Sequence, residues 1–395
     1  MSNRTYIDIH ILQTVPPSNL NRDDAGSPKQ AVYGGVRRTR VSSQAWKRAT
    51  RKAFVEQPGI STDKLGTRTK RVSTLLAERI AARTGLDIEA ATRLSTSLLK
   101  DLDIKPGKKA TETAYLLFFG VSQLDAIVDL IAEQATELAA LADDALGKVV
   151  ADLPVREQLT KGHPIDVALF GRMVADIPSL NVDAATQVAH ALSVNPAEIE
   201  FDYYTAVDDE KGAEEDAGAA MIGTVEFTSA TLYRFATVGV HQLAANLGND
   251  HVATIEAIQA FLRAFVTSMP TGHQNTFAHR TLPSLVSFAV RDDQPINLVS
   301  AFEAPVRGKD GIAAKSVVRL AEEFNRVASD WVCTPLCVAS VYDPAVAASA
   351  SSRDEKNARN TESLARAFGV PRPLADAIDV VAAAARDRLA EPTSR

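Results

Sequence analysis

The chain has only two cysteines, Cys333 and Cys337, in 395 residues, with no second pair to complete a metal set. That excludes a disulfide framework and gives a structural zinc site little support. No apolar run approaches the roughly 18 to 20 residues that a transmembrane helix needs. The first residues, MSNRTYIDIHIL, enter a strand-like alternation at once and lack a charged-then-apolar signal segment, so a cytoplasmic location is expected. H-E-x-x-H, G-x-S-x-G and P-loop patterns are missing, which removes the commonest metalloprotease, serine-hydrolase and nucleotide-binding readings. The aromatic signature of RNA-recognition modules is missing too, which argues against bases stacked on a sheet face. What remains is a globular composition, 46% hydrophobic and 23% charged, long enough for two or three lobes or for one domain with large insertions.

Charge is unevenly spread. The whole chain carries −6, yet residues 22–52 hold nine Lys or Arg against Asp23 and Asp24, a local balance of +7. Its centre reads VRRTRVSSQAWKRATRK from Val36, with Arg37, Arg38 and Arg40 before a double-serine cap and Lys47, Arg48, Arg51 and Lys52 after it. Cations segregated this sharply point to an anionic partner, and nucleic-acid phosphates fit best. Ser42 or Ser43 is expected to cap a helix whose Ala45, Trp46, Ala49 and Ala53 pack inward while Lys47, Arg48 and Arg51 face out. The pair Gly34-Gly35 fits either a turn or a close backbone approach to a phosphate.

Residues Thr5 to Leu12 alternate, Ile7, Ile9 and Ile11 against Asp8 and His10, which predicts a half-buried strand followed by a loop of about thirty residues. From about Ser61 to Leu192 the pattern is helical, with no clear strand before Val167. Residues 199–223 suggest a projecting hairpin with an acidic tip. Alternation returns at 224–238, then come a helix carrying Ile255, Ile258, Leu262 and Phe265, a strand at 284–291, a helix through Leu320, Phe324, Val327 and Trp331, a strand at 336–342 and a helical tail. With insertions set aside, this order predicts an α+β, ferredoxin-like fold of the kind RNA-recognition modules use.

Several carboxylates and histidines invite an enzymatic reading. Asp23-Asp24 and Asp208-Asp209 are candidates for Mg²⁺, but adjacent side chains on extended backbone point apart, so Asp23 and Asp24 are expected to organise the Arg22 loop or to pair with a neighbouring subunit. Asp8 and His10 share a strand face as an acid–base candidate, with a structural histidine the blander alternative. His273 and His279 flank QNTFA and are expected as loop or RNA contacts. Two other readings stand beside phosphate binding: an endoribonuclease that cuts RNA with a His or Asp, and a protein-assembly module whose basic face meets acidic partners.

The segments LNRDD (20–24), Lys29, GGVRRTRVSSQ (34–44), KRATRK (47–52), ALFGRM (168–173), VAHAL (188–192), YTAVDD (204–209) and GTVEFTSATLYRFA (223–236) occur in this order. In them the chain resembles the Cascade backbone subunits of the CRISPR-associated Cas-seven family, the CasC group of type I-E. The resemblance implies an RRM-like palm (1–60 and 224–345), a large helical finger insertion (61–192), a thumb β-hairpin (193–223) and a helical tail (346–395). It further implies a non-catalytic subunit without cofactor. Copies would stack head to tail along guide RNA beside other Cascade subunits, leaving bases free to pair with target DNA. Asn21, Arg22 and Lys29 then fall where the family's loop meets RNA backbone, and Ser42, Gln44, Lys47 and Arg51 where its first helix does. Met173 falls at the family's wedge between bases. The basic run adds Arg37, Arg38, Arg40 and Arg48 as expected RNA contacts, and the acidic tip, Glu214, Glu215 and Asp216, is expected to meet a neighbouring copy. Ala45-Trp46 stands where Ser-Leu is more usual, so the packing behind that helix is expected to differ.

Overall fold

The computed structural model describes residues 4–57, 60–100, 102, 104, 112–175, 177–206, 221–308, 311–346 and 354–391. They cluster in two units, one of Met1–Glu56, Val188–Thr237 and Ile258–Arg395, the other of Gln57–Gln187 and Val238–Ala257. The first is a mixed α/β unit built on an antiparallel-rich sheet. In chain order it contains β1 (Tyr6–Ser18), β2 (Gln30–Tyr33), β3 (Val36–Val41), α1 (Ser43–Phe54), β4 (Ala191–Ser193), β5 (Glu200–Ala206), β6 (Met221–Gly239), β7 (Leu285–Arg291), α2 (Ile312–Asp330), β8 (Cys337–Tyr342), α3 (Asp354–Phe368) and α4 (Leu374–Ala390). The sheet order is β8-β7-β1-β6-β4-β3-β2, and β5 pairs with β6 off this path.

Strand β1 is buried on both faces, not one. Ile7, Ile9 and Ile11 oppose Val290, Phe288 and Val286 of β7, while Asp8 and His10 on the other face are also fully enclosed. Helix α2 covers that second face, setting the Phe324 ring edge-on to His10 at 6.1 Å. Asp8 and His10 are each held through one of their two polar atoms, Asp8 Oδ1 and His10 Nε2 having no partner among the described residues. Asp8 Oδ2 accepts from Arg291 Nε at 3.0 Å and from the Ile296 amide at 2.9 Å, and His10 Nδ1 lies 2.9 Å from the Tyr233 hydroxyl. Burial raises the Asp8 carboxyl to about 6 and lowers the His10 imidazole to about 3. These groups hold the core together and face no cleft, so the acid–base candidate falls.

The long loop expected after Leu12 is largely ordered strand. Strand β1 continues to Ser18, and β2 and β3 form a hairpin pairing Tyr33 with Val36. Gly34 and Gly35 turn it with φ of +59° and +76°, the double positive φ of a type I′ hairpin turn. A Cβ on Gly34 would lie 1.7 Å from the Glu303 carbonyl oxygen, so the pair serves the turn. The period-2 signal failed because this hairpin carries charge on both faces.

The second unit is mainly helical around Leu76, Ile80, Leu94, Leu98, Leu124 and Ile127. Two short strands, Gly66–Thr69 and Leu117–Gly120, pair antiparallel where only helix was expected; four residues each are too few for alternation to register. Among the described residues no helix is long and apolar enough to cross a membrane. The hairpin of β5 and β6 pairs Glu200 with Phe227 through Ala206 with Met221. Its acidic centre, with Asp208, Asp209, Glu214, Glu215 and Asp216, lies outside the described residues.

Candidate nucleic-acid interface

Helix α1 is positioned by its ends and by one tryptophan. Ser42 caps it, its hydroxyl accepting from the Ala45 amide, and no acid occupies the first turn while Arg51 and Lys52 sit in the last. The positive end of the helix dipole is therefore unneutralised by its own turn. Trp46, Thr50 and Phe54 form the buried stripe. Arg234, fully buried, stacks its guanidinium over the Trp46 ring at 3.7 Å and over Phe265 at 4.7 Å, and donates to Gln13 Oε1 at 2.6 Å. Burial lowers the Arg234 pKa to about 9. This cation–π stack explains the tryptophan: an aliphatic residue would leave the buried guanidinium without its ring.

Ala45, Ala49 and Ala53 do not pack inward as expected. With Arg48, Lys52 and Glu56 they line a groove of about 1160 Å³. Its other walls are Asn21, Arg22, Asp23 and Asp24 from the LNRDD loop and residues 268–280, including Gln274, Asn275 and Arg280. The wheel assigned the three alanines wrongly because they are apolar; their small size instead leaves room at the groove floor. Asp23 ties the loop, its Oδ1 accepting from the Ala25 and Ser27 amides at 2.9 and 3.0 Å. Lys29 N donates to Asn21 O at 2.9 Å, closing the loop's two legs. The groove's four cations (Arg22, Arg48, Lys52, Arg280) face three carboxylates (Asp23, Asp24, Glu56), so its own excess is small. Gln44, Lys47 and Arg51 fall on an adjoining face of α1 outside the groove lining, where Lys47 and Arg51 carry further positive charge; burial lowers the Lys47 pKa.

Among the other predicted residues, Asn21 is turned partly inward, its Oδ1 accepting from the Ser42 amide at 2.8 Å. Arg37 is exposed and Arg40 half-buried on β3. Ser42 is buried as a cap. Arg38 is a correction. Its guanidinium is 0% exposed, and every N–H bond goes to a carbonyl: Tyr33, Ser193, Val194, Phe302 and Glu303, at 2.8–3.2 Å. Nothing is left for a phosphate. In the helical unit, Met173 is 83% exposed. Arg172 beside it is buried and donates to the carbonyls of Leu180, Phe118 and Leu159, so G-R-M fixes its backbone with the arginine and presents the methionine.

Gln274, Asn275 and Arg280 line the groove without a sequence signal of their own beyond His273 and His279, which flank that loop, whereas Lys52 belongs to the basic run. His279 is buried with Nε2 3.1 Å from the Pro270 carbonyl. His273 reaches Arg22 Nη1 at 2.9 Å. Among the described residues no group of three or more His, Cys, Asp or Glu is placed to hold a metal ion.

The profile of a family described as "CT1975-like protein" matches residues 7–368. A chain of a solved "CRISPR RNA-guided surveillance complex, pre-nicking" is 33% identical, superposes with a TM-score of 0.78, and is matched over 96% of this chain and 100% of its own. A chain of a second "CRISPR RNA-guided surveillance complex" is 30% identical with a TM-score of 0.69, over 96% of this chain and 99% of its own. No curated protein matches. The Cas-seven resemblance read from the basic run and its companion motifs therefore stands, and the chain belongs to the CT1975-like protein family.

Proposed function

We propose that this protein is a non-catalytic backbone subunit that oligomerises along a CRISPR guide RNA, gripping its phosphates and leaving its bases free to pair with target DNA. The sheet unit acts as an RRM-like palm, the helical unit as fingers and the β5–β6 hairpin as a thumb. Its partners are guide RNA, further copies of itself and other subunits of a Cascade-type complex, and its place is the cytoplasm. The carrying observation is that Arg22, Lys29, Arg37, Arg40, Lys47, Arg48, Arg51 and Lys52 all keep exposed or half-exposed positions on one unit, in a chain of net charge −6. Side chains of this kind position a nucleic acid by its backbone without reading its sequence. Met173 suits a wedge between bases, since an unbranched thioether intercalates without specifying them.

The test mixes the purified chain with single-stranded RNAs of increasing length and unrelated sequence. Binding, particle mass and RNA integrity are then followed as salt is varied. Mass should step with RNA length, sequence should hardly matter, and each neutralised phosphate should contribute about −0.7 to the slope of log K against log salt. Lys47→Glu with Arg51→Glu should abolish binding. Cut RNA would hand the function to the endoribonuclease reading, and absence of binding at low salt would refute the proposal.

A further inference from the structure

Two histidines of the sheet unit stand against arginines of the basic face. His190 Nδ1 lies 3.1 Å from Arg40 Nη1, and His273 Nε2 lies 2.9 Å from Arg22 Nη1. A guanidinium can only donate, so in both pairs the facing ring nitrogen is the acceptor and the imidazole is neutral. The two pairs flank one loop. Lys29 N donates to Asn21 O at 2.9 Å and Arg22 bridges to Pro28, so the legs carrying Arg22 and Lys29 run side by side. The loop bearing His273 is pressed against the first leg, because a Cβ on Gly272 would lie 2.4 Å from the Leu20 carbonyl oxygen. His273 itself takes φ +50°, a left-handed conformation uncommon for a side-chain-bearing residue, and its ring packs edge-on to Phe277.

Among the described residues, the charges found to act on these rings are cations. Arg40 from β3 and Lys29 from the loop face His190, and Arg22 faces His273; burial and these charges together push both imidazoles down. Protonating either ring alone would set two positive groups about 3 Å apart. An anion seated between them reverses that balance.

We propose that His190 and His273 are phosphate ligands of the bound strand, each taking up a solvent proton as a phosphate oxygen enters its Arg–His pair. The imidazolium N–H then turns from the guanidinium to the phosphate, which also accepts from the arginine. This rests on the RNA-binding reading above and adds to it that binding is coupled to protons.

The test uses the full chain and an oligouridylate, whose bases do not titrate between about pH 6 and 8, at constant salt. Affinity is measured across that range, with calorimetry in two buffers of different ionisation enthalpy. Because the bound state has the higher imidazole pKa, affinity should rise as pH falls, by about threefold to tenfold per histidine. Heats should differ between buffers by up to about one proton per histidine. Gln keeps an acceptor for arginine but cannot be protonated, so His190→Gln with His273→Gln should bind with an affinity independent of pH. Flat wild-type affinity without proton uptake overturns the proposal while leaving RNA binding intact. So does a slope that persists in the folded double variant. Failure to bind at any pH would instead refute the functional reading.

Discussion

Replacing Arg38 by methionine separates the two kinds of arginine in the basic run. The substitution keeps length and apolar stem but strips five N–H donors from the carbonyls of Tyr33, Ser193, Val194, Phe302 and Glu303. A buried acceptor left unpaired costs about 1–3 kcal/mol. The five losses are not additive, because carbonyls with a common donor relax together and the Val194 carbonyl keeps its bond from the Val306 amide, so a total of roughly 3–5 kcal/mol is expected. For a unit of this size that corresponds to a fall in Tm on the order of 10 °C. Differential scanning calorimetry reads the fall, and RNA titration at several salt concentrations, run well below Tm, reads phosphate contacts. Arg38→Met should melt early with its salt slope unchanged. Arg48→Gln should do the reverse, keeping Tm within about 0.5 kcal/mol of stability while the slope loses about 0.7. An Arg38→Met protein that melts normally but loses slope would show that the guanidinium leaves its carbonyl cage for the RNA, and would refute its role as a buried tie.

Gly272→Ala drives a Cβ into the Leu20 and Asn19 carbonyls, and should cost about 1–3 kcal/mol while moving residues 273–280 off the groove; a denaturant midpoint and an RNA affinity both unchanged would contradict it. Asp8→Ala leaves Arg291 buried without its counter-ion and should cost about 3–5 kcal/mol, read by chemical denaturation. The Asp8 carboxyl, raised to about 6, binds its proton more tightly in the folded chain than in the unfolded one. Its titration therefore favours folding at low pH, and that contribution is lost as pH rises from about 4 through about 6; wild-type stability compared with Asp8→Asn over that range measures it. Met173→Ala, at an exposed position, should leave stability within about 0.5 kcal/mol yet weaken base unstacking in the assembled complex, read by the fluorescence of 2-aminopurine placed along the guide.

The basic run, its helix cap and the chain-long order of family motifs were legible from residue types alone, because charge segregation and N-cap chemistry are local properties. So were the strands at Leu285–Arg291 and Cys337–Tyr342 and the helix at Ile312–Asp330, whose periodicity matches the face each buries. Locality ends at the question of which cations are outside. Arg37, Arg38 and Arg40 are near-equivalent in sequence, and only the carbonyls that β4 and residues 302–303 bring to Arg38 turn it from a surface charge into a buried tie. The same holds for the alanine stripe of α1, read as core from polarity but set by packing at the floor of a groove. Asp8 and His10 looked solvent-facing until α2 closed over them. The pairs His190–Arg40 and His273–Arg22 join residues 150 and 251 positions apart. No local pattern encodes such distances, and only the sheet order and the close approach at Gly272 bring those rings to their arginines.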